Sequence, residues 1–300
     1  MRAACIDIGS NTTRLLVAEL TDGRLRAVHE ERVFTRLGRG VGETGAISAE
    51  KLAEATVVVA SQLAIAHRLG AGAVRVVATA AIRDAANGSE LAAEIRRATG
   101  IPVSVLSGEE EARLAFVGAA GTLESGPSSG RGSGGAGGRL GVIDVGGGSC
   151  ELVVGSRPEA IEWWASVPIG SGGLSARCLS HDPPLSRELA EARDAVAAAF
   201  DGLAPPRPDR AVAVGGGAAS LARVTGREPD HNAVRRSLEL LAAQPSADVA
   251  RRFEIAPERA RLLPAALMIL QAAGELLGVQ PTVGRGGIRE GVLLETLRGG

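Results

Sequence analysis

The stretch LGVIDVGGGSCELVVG (140–155) repeats the plan of ACIDIGSNTTRLLVAEL (4–20) within one chain of 300 residues. In each, an apolar run ends in an aspartate, a β-branched residue and a glycine, and a second apolar run follows a short polar turn. This pattern predicts a strand, a tight turn and a second strand. The two halves of the chain are therefore expected to share one structural plan.

Outside these two stretches the pattern indicates alternating strands and helices. Ser48, followed by a long Ala, Val and Leu segment, predicts a capped helix over 48–69. The other strands are predicted at 27–34, 74–78, 103–106, 161–167 and in the apolar run that ends in the glycines of VAVGGGAASLA (212–222). The other helices are predicted at 89–98, from 107, near 171–178 and at 186–200. This alternation favours an α/β fold, with an antiparallel start.

A Gly/Ser-rich segment, SGPSSGRGSGGAGG (125–138), separates the two halves. Such a composition cannot bury enough apolar area to order itself. The sequence therefore predicts an N-terminal domain over 1–124, a flexible connection over 125–138 and a C-terminal domain over 139–300. In an alternative arrangement, the last helix of the C-terminal domain packs back on the N-terminal domain.

Composition limits the classes of partner. Hydrophobic residues make up 45% of the chain but aromatic residues only 2%, which leaves little for stacking nucleic-acid bases. The net charge, 33 − 34 = −1, gives no bulk attraction to nucleic acid or to an anionic membrane. The three cysteines, Cys5, Cys150 and Cys178, form no CxxC pair, so neither a disulfide framework nor a zinc site is indicated. Neither a signal segment nor a membrane span is indicated, and a cytoplasmic protein is expected.

The two glycine turns are candidate phosphate sites. A strand that ends in glycines lets backbone N–H groups approach a phosphate closely. Asp7 and Asp144, where each strand leaves the sheet, would hold Mg²⁺ or its waters. Glu151 begins the strand after the second turn and could face the same cleft as Asp144. The competing interpretation is that these are ordinary turns and that Glu151 is a solvated strand residue.

The segment SGEEEARL (107–114) has two interpretations as well. Ser107 can cap a helix, and acidic residues in a first turn favour the helix dipole. Alternatively, one of the three glutamates projects into a cleft as the general base for water. Arg14 and Arg83, each close to a strand end, are ordinary surface residues or phosphate ligands. His29, His67, His181 and His231 show no metal spacing and are interpreted as structural or solvated, and Cys150 as a buried residue rather than a nucleophile.

Five blocks, in order and spacing, resemble the exopolyphosphatase and guanosine pentaphosphate phosphohydrolase (Ppx/GppA) family, whose fold belongs to the actin-like ATPase superfamily. They are IDIGSNTTRL (6–15), ATAAIRDAAN (78–87), SGEEEARL (107–114), IDVGGGSCEL (143–152) and GGIREGVLLE (286–295). The resemblance spans almost the whole chain and matches the short form of the family. It implies two ribonuclease-H-like domains with a cleft between them.

The resemblance also implies roles for single residues. Glu111 would be the general base, and Asp144 and Glu151, together with Asp7, would hold Mg²⁺ or another divalent cation. The implied phosphate-binding residues are Gly9, Ser10, Asn11, Arg14, Arg83, Gly146, Gly147, Gly148 and Ser149. The implied reaction is attack by water on a terminal phosphoryl group of polyphosphate or of the guanosine pentaphosphate pppGpp, the latter a link to the stringent response, and a homodimer is expected.

The sequence departs from the family pattern at several positions. Gly172 and Gly173 stand where relatives often carry bulkier or basic residues, so a contact with a polyphosphate chain could be missing. The turn at 214–222 lacks the family's threonines. In the helix expected at PERARLLPAAL (257–267), Arg261 replaces a frequent acid, and Pro264 would break the helix unless it lies in a first turn.

Two other functions compete with a hydrolase. An ATP-dependent kinase of the same superfamily would need an acceptor-binding aspartate in place of Glu111. A non-enzymatic sensor of polyphosphate or guanosine tetraphosphate would need the arginines and glycines but no base for water. The SGEEEA block (107–112) and the SNTTR turn (10–14) resemble the phosphatase family rather than kinases, and the presence of Glu111, Asp144 and Glu151 together argues against the sensor.

Overall fold

The computed structural model describes residues 1–39, 41–123, 138–156 and 160–299. In chain order its first elements are β1 (Arg2–Ile8), β2 (Thr13–Thr21), β3 (Arg24–Val33), α1 (Val41–Thr44), α2 (Ala49–Arg68), β4 (Ala73–Ala78), α3 (Ala80–Arg83), α4 (Gly88–Thr99), β5 (Val103–Val105) and α5 (Gly108–Leu123). The later elements are β6 (Arg139–Val145), β7 (Cys150–Ser156), β8 (Ala160–Val167), α6 (Ser171–Cys178), α7 (Ser186–Phe200), β9 (Arg210–Val214), α8 (Gly215–Thr225), α9 (His231–Ala243), α10 (Ser246–Phe253), α11 (Pro257–Ala260), α12 (Leu263–Leu277), β10 (Thr282–Val283) and α13 (Ile288–Arg298).

The chain divides into two compact units. The first comprises the described residues of Met1–Pro127 and Gly286–Gly300, and the second those of Ser128–Arg285. Helix α13 therefore belongs to the first unit although it closes the chain. Apart from Gly138, the connection predicted over 125–138 lies outside the described residues.

Both units contain the same sheet. The strand order of the described residues is β3-β2-β1-β4-β5 in the first unit and β8-β7-β6-β9-β10 in the second. In each, the first three strands of the unit form an antiparallel meander, and the fourth strand pairs parallel with the first. The repeat seen in the sequence is thus a repeat of topology, and the α/β class and the antiparallel start are confirmed.

The alternation of side chains along β1 explains how the first sheet is buried on both faces. Ala4, Ile6 and Ile8 point to one face and pack in a cluster with residues of α2. Ala3 and Cys5 point to the other face and pack with residues of α5 and α13. Asp7 follows the period of Cys5 and therefore lies on the α13 face.

The helix expected over 257–267 is divided in two. Helix α11 ends at Ala260, and α12 begins at Leu263, which places Pro264 in the first turn of α12. There its missing N–H costs no hydrogen bond. Arg261, between the two helices, donates from Nη2 to the carbonyls of Leu179 and Ser180, 2.7 and 3.0 Å away, just beyond the end of α6. Among the described residues, no helix combines the length and apolar character that a membrane crossing requires.

Two glycines let the backbones of α5 and α13 touch. A Cβ added at Gly118 would lie 2.1 Å from the carbonyl oxygen of Gly287, and one added at Gly291 would lie 2.1 Å from that of Leu114. Both distances are far inside van der Waals contact, and backbone atoms cannot move aside as a flexible side chain can. The close approach of these two helices therefore requires glycine at both positions.

We expect Gly118→Ala to lower the free energy of unfolding by about 3 kcal/mol, because the new methyl group overpacks a backbone contact. Gly121→Ala is the matched control on the same helix, since its methyl group meets the end of the flexible Leu294 side chain. Alanine also gains helix propensity at both positions, about 1 kcal/mol. Urea unfolding of the two variants measures the difference. Equal stability of the two would contradict the overpacking argument.

Candidate functional site

The first turn, residues 9–12, joins β1 to β2 in the first unit. The N–H of Gly9 donates to the carbonyl of Thr12 at 3.0 Å, and a Cβ at Gly9 would lie 3.3 Å from that oxygen. The turn is therefore tight where the chain leaves the sheet. Ser10 and Thr12 are buried, and Asn11 is half-buried.

The segment after β3 holds the first turn from one side. Arg36 and Gly38 donate their backbone N–H groups to the carbonyls of Asn11 and Ser10 at 3.0 and 2.8 Å. Because the C=O and N–H of a trans peptide point in opposite directions, the N–H groups of Asn11 and Thr12 point away from this segment. Neither N–H has an acceptor among the described residues. The turn thus presents two backbone donors on one side.

The second turn, residues 146–149, has the same construction in the second unit. The N–H of Gly146 donates to the carbonyl of Ser149 at 2.9 Å. Ser171 donates to the carbonyl of Gly146 from both its N–H and its hydroxyl, at 3.0 and 3.1 Å. The N–H of Gly147, which follows the carbonyl of Gly146, therefore points away from Ser171, as the donors of the first turn point away from residues 36–38.

The glycines at 172 and 173 have a role in this construction. Their N–H groups both donate to the carbonyl of Gly147 at 3.0 Å. A Cβ at Gly170, just before α6, would lie 2.4 Å from the carbonyl carbon of Gly147 and 2.5 Å from the nitrogen of Gly148. The start of α6 is therefore pressed against the second turn, backbone to backbone, and its first N–H groups are already used.

Asp144 and Glu151 are direct cross-strand partners in β6 and β7. Residues paired in this way point to the same face, with Cβ atoms about 5 Å apart. Both side chains are buried. Ser166, the next residue in the same row on β8, donates its hydroxyl to Glu151 Oε1 at 3.0 Å. The second turn is thus flanked by two buried carboxylates on one face of the sheet.

Gly215 closes the space around Asp144. Its φ is +83°, and a Cβ there would lie 2.3 Å from Asp144 Oδ1. Both the left-handed conformation and the close approach exclude larger residues. Asp144 also neighbours Val214 in the parallel pair of β6 and β9. The end of β9 and the start of α8 therefore fix the position of this carboxylate.

Asp7 occupies the position in the first sheet that Asp144 occupies in the second, but its cross-strand partner is an arginine instead of a glutamate. Its cross-strand partner is Arg14, and the next residue in the row, on β3, is Arg32. Asp7 Oδ1 is buried and has no hydrogen-bond partner among the described residues. Burial raises the pKa of Asp7, against the charges of Arg14 and Arg289, which lower it. The corresponding rows of the two units thus differ in charge, since one is rich in arginine and the other in carboxylates.

Arg289, on α13, completes the surroundings of Asp7. Its guanidinium is buried, and it donates to the carbonyl of Leu15 at 3.2 Å and to Glu30 Oε2 at 3.3 Å. Burial lowers the pKa of Arg289, but the nearby carboxylates, with Glu290 and Glu30 the strongest, raise it above its usual value. Arg289 therefore remains a fixed positive charge that ties α13 to β2 and β3.

The structure separates the three glutamates at the start of α5. Glu110 accepts from the N–H of Ser107 at 2.8 Å, while Ser107 Oγ accepts from the N–H of Glu110 at 3.2 Å. This reciprocal pair is a capping box, and its hydrogen bonds lower the pKa of Glu110. Glu109 is exposed, whereas Glu111 is only 2% exposed. Two of the three acids thus have the structural role that the helix start predicts, and Glu111 does not.

Glu111 forms an ion pair with Arg83. The guanidinium Nη1 of Arg83 contacts Glu111 Oε1 and also donates to the carbonyl of Leu106 at 2.9 Å. Its Nε lies 3.3 Å from Asp84 Oδ1. The end of α3 and the start of α5 therefore bring together one predicted general base and one predicted phosphate ligand within the first unit.

Cys150 was predicted to be a buried residue, and the histidines were predicted to be structural or solvated. Cys150 is fully buried, and burial, followed by the charges of Glu151 and Asp144, raises the pKa of its thiol well above the usual value. Such a thiol is a poor nucleophile at neutral pH. His181 Nδ1 lies 2.7 Å from the carboxylate of Glu188, which also accepts from the hydroxyl of Ser180 and the N–H of Leu185. No group of three or more metal-ligating side chains occurs in the part of the chain that the structure describes.

Several residues of these sites escape inspection of the sequence. They are Ser166, which donates to Glu151, Ser171, which donates to the second turn, Gly215 beside Asp144, and Arg32 and Arg289 near Asp7. Each is brought to its site by strand register or by a contact between distant segments, for which a single sequence carries no signal. Gly215 and Arg289 are exceptions in part, because the glycines of 212–222 and the block at 286–295 had singled out their segments, though not their contacts.

The chain is similar in sequence and in fold to proteins of one phosphatase family. The model of the Ppx/GppA phosphatase family matches residues 16–299. Exopolyphosphatase 1 of Mycobacterium leprae is 29% identical over 315 residues, covering 99% of this chain and 90% of that protein. The guanosine-5'-triphosphate,3'-diphosphate pyrophosphatase of Vibrio cholerae is 34% identical over 157 residues, covering 52% of this chain and 29% of that protein. The crystal structure of the Aquifex aeolicus member of the Ppx/GppA family superposes with a TM-score of 0.80 at 28% identity, covering 100% of this chain and 98% of the other.

Proposed function

The chain belongs to the Ppx/GppA phosphatase family, with the actin-like fold of that family, and from this premise we propose that it releases terminal orthophosphate from inorganic polyphosphate, from pppGpp, or from both. Membership makes it a phosphoanhydride hydrolase. The observation that carries the proposal is the isolation of Glu111 from its two neighbours. A buried carboxylate that takes no part in the helix cap, and that Arg83 holds in one position, can accept a proton from water.

We propose that the two turns bind phosphate oxygens through their outward N–H groups. These turns comprise residues 9–11 and 146–149 of the predicted site. In each unit the carbonyls on the other side are occupied by a neighbouring segment, so the donors are fixed before a ligand arrives. Fixed donors lose little freedom on binding an anion. Arg14 and Arg83 would add charge-assisted hydrogen bonds, with Arg83 reaching the substrate from beside Glu111.

The donor set around Asp144 fits Mg²⁺. Mg²⁺ is usually bound through one or two carboxylates together with waters and substrate phosphate oxygens, and Asp144 and Glu151 supply two such carboxylates side by side. A bound Mg²⁺ would neutralise charge on the phosphate oxygens. Ser166 and Gly215 hold the two carboxylates in place. Asp7, in the first unit, is proposed separately as a metal ligand, a role that its buried, unpartnered oxygen would suit.

Orthophosphate release by the purified protein with Mg²⁺ tests the proposal. Short polyphosphate, long polyphosphate, pppGpp and ATP are compared under the same conditions. We expect release from polyphosphate, from pppGpp or from both, and little from ATP. Binding of polyphosphate or guanosine tetraphosphate without release from any substrate would favour a sensor, and phosphoryl transfer from ATP to an acceptor would favour a kinase. The cytoplasmic location and the homodimer are separate proposals. Cell fractionation checks the first, and light scattering checks the second.

Gly170→Ala is expected to lower the release of orthophosphate at least tenfold, about 1.4 kcal/mol of transition-state stabilisation. The new methyl group cannot coexist with the backbone of Gly147 and Gly148, so the second turn must move away from α6. Misplacement by about 1 Å can cost two orders of magnitude. Gly72→Ala is the control, because its methyl group meets only the carbonyl of Arg2 at 3.9 Å. Wild-type activity in Gly170→Ala would show that the position of the turn is unimportant.

A further inference from the structure

Two arginines face each other across β2 and β3, next to the first turn. Arg14 and Arg32 are direct cross-strand partners, one residue inside the paired ends Thr13 and Val33. Their side chains therefore share one face of the sheet, about 5 Å apart at Cβ. This face also carries Asp7, the partner of Arg14 on β1. The row ends beside the outward donors of residues 11 and 12.

Neither guanidinium has a hydrogen bond or an ion pair with another described residue. The acidic residues nearest in sequence to Arg32 are used elsewhere, since Glu30 accepts from Arg289 and Glu31 accepts from Gln62. Burial, together with the charges of Arg289 and Arg32, lowers the pKa of Arg14 to about 10. Burial, with Arg289, also lowers the pKa of Arg32. Both groups remain charged at neutral pH.

Like charges placed directly opposite each other destabilise a sheet. Here the repulsion is increased by the buried Arg289 and only partly offset by Asp7, Glu30 and Glu290. An anion bound between the two guanidinium groups would remove this repulsion and give both arginines a partner. Guanidinium groups prefer phosphate and carboxylate oxygens, which they can bind in a bidentate manner.

We propose that Arg32, together with Arg14, forms a subsite for a second phosphoryl group of the substrate. This group would be adjacent to the phosphoryl group that the first turn binds. The inference rests on the proposed function, and it gives Arg32 a role in distinguishing a phosphoanhydride chain from a single phosphate. Arg289 does not share this role, because its guanidinium is buried and bonded to the carbonyl of Leu15 and to Glu30. Arg32 is exposed and free to meet a ligand.

Calorimetric titration with tripolyphosphate and with orthophosphate tests the subsite. The titrations use the Glu111→Gln background, so that tripolyphosphate is not consumed. We expect Arg32→Gln to weaken tripolyphosphate binding about tenfold, the loss of one charge-assisted contact, and to change orthophosphate binding less than about twofold. Arg32→Lys, which keeps the charge but not the planar fork, should fall between.

Arg24→Gln is the matched control. Arg24 is exposed and lies on the same strand, at the end far from the turn, and its substitution by glutamine removes the same charge. Its variant should bind both ligands as the Glu111→Gln background does. Unchanged tripolyphosphate binding in Arg32→Gln, an equal loss for both ligands, or an equal loss in Arg24→Gln would overturn the subsite.

The release assay separates this inference from the proposed function. If the wild-type chain releases orthophosphate but Arg32→Gln has the same KM for polyphosphate, the subsite alone fails. If the wild-type chain releases none, the proposed function fails, and the calorimetric comparison still decides whether Arg32 contacts a second phosphoryl group. Absence of tripolyphosphate binding to the Glu111→Gln background would overturn the subsite whatever the release assay gives.

Discussion

Glu111→Gln is expected to lower the turnover of orthophosphate release by about 10³-fold while leaving the affinity for polyphosphate within a few-fold of wild type. The amide is close in shape to the carboxylate and can still accept from Arg83, so the surroundings of the side chain are retained. It cannot, however, take a proton from water at neutral pH. Steady-state release and a binding titration on the same preparation measure the two quantities.

The control for this variant is Glu109→Gln. Glu109 lies two residues away in the same helical turn, is exposed and carries the same charge. It should release orthophosphate at the wild-type rate. If Glu111→Gln keeps more than about a tenth of the wild-type turnover, Glu111 is not the base. Loss of binding together with turnover would instead make Glu111 a residue that positions Arg83.

Asp144→Asn is expected to raise the Mg²⁺ concentration needed for half-maximal release at least tenfold and to lower kcat/KM by about 100-fold at limiting Mg²⁺. Asparagine fits the space beside Gly215 but replaces an anionic oxygen ligand with a neutral one. Its neighbour Glu151 would then be left as the single carboxylate of the pair. Activity measured over a range of Mg²⁺ concentrations, together with a direct Mg²⁺ titration by calorimetry, gives both effects.

Asp194→Asn provides the matched change of charge in the second unit. Asp194 is exposed on α7. It should leave the Mg²⁺ dependence unchanged. Ser166→Ala, which removes the hydroxyl donor to Glu151, is expected to give a smaller effect, a few-fold increase in the Mg²⁺ requirement. An Asp144→Asn variant with wild-type Mg²⁺ dependence would exclude Asp144 as a ligand.

Local sequence patterns predict many of the strands and helices of the fold. The runs before Asp7 and Asp144 predicted strands, and each lies within two residues of its predicted ends. Glycine turns after these strands and the capping serine at 48 marked boundaries that depend only on adjacent residues. Helix α12 was less visible, because most of its residues are apolar and buried, which weakens the amphipathic period.

The glutamates at the start of α5 show where such patterns end. The three adjacent acids differ in the sequence only in their spacing from Ser107, and that spacing suits Glu110, the third residue after it, to a capping box. The hydrogen bonds of Ser107 select Glu110 for the cap, and the packing of the helix buries Glu111 beside Arg83. The surroundings of Glu111, unlike the cap, depend on a residue 28 positions earlier in the chain. No local pattern contains that information.

The repeat, the α/β class, the two turns and the pairing of Asp144 with Glu151 follow from the sequence, because strand alternation and a short hairpin place residues by local geometry. The opposition of Arg14 and Arg32, the burial of Arg289 against Leu15, and the support of the second turn by residues 171–173 follow from the tertiary structure. Strand register and contacts between distant segments are set by the packing of the whole core, so a side chain's charge environment is decided only when those segments meet.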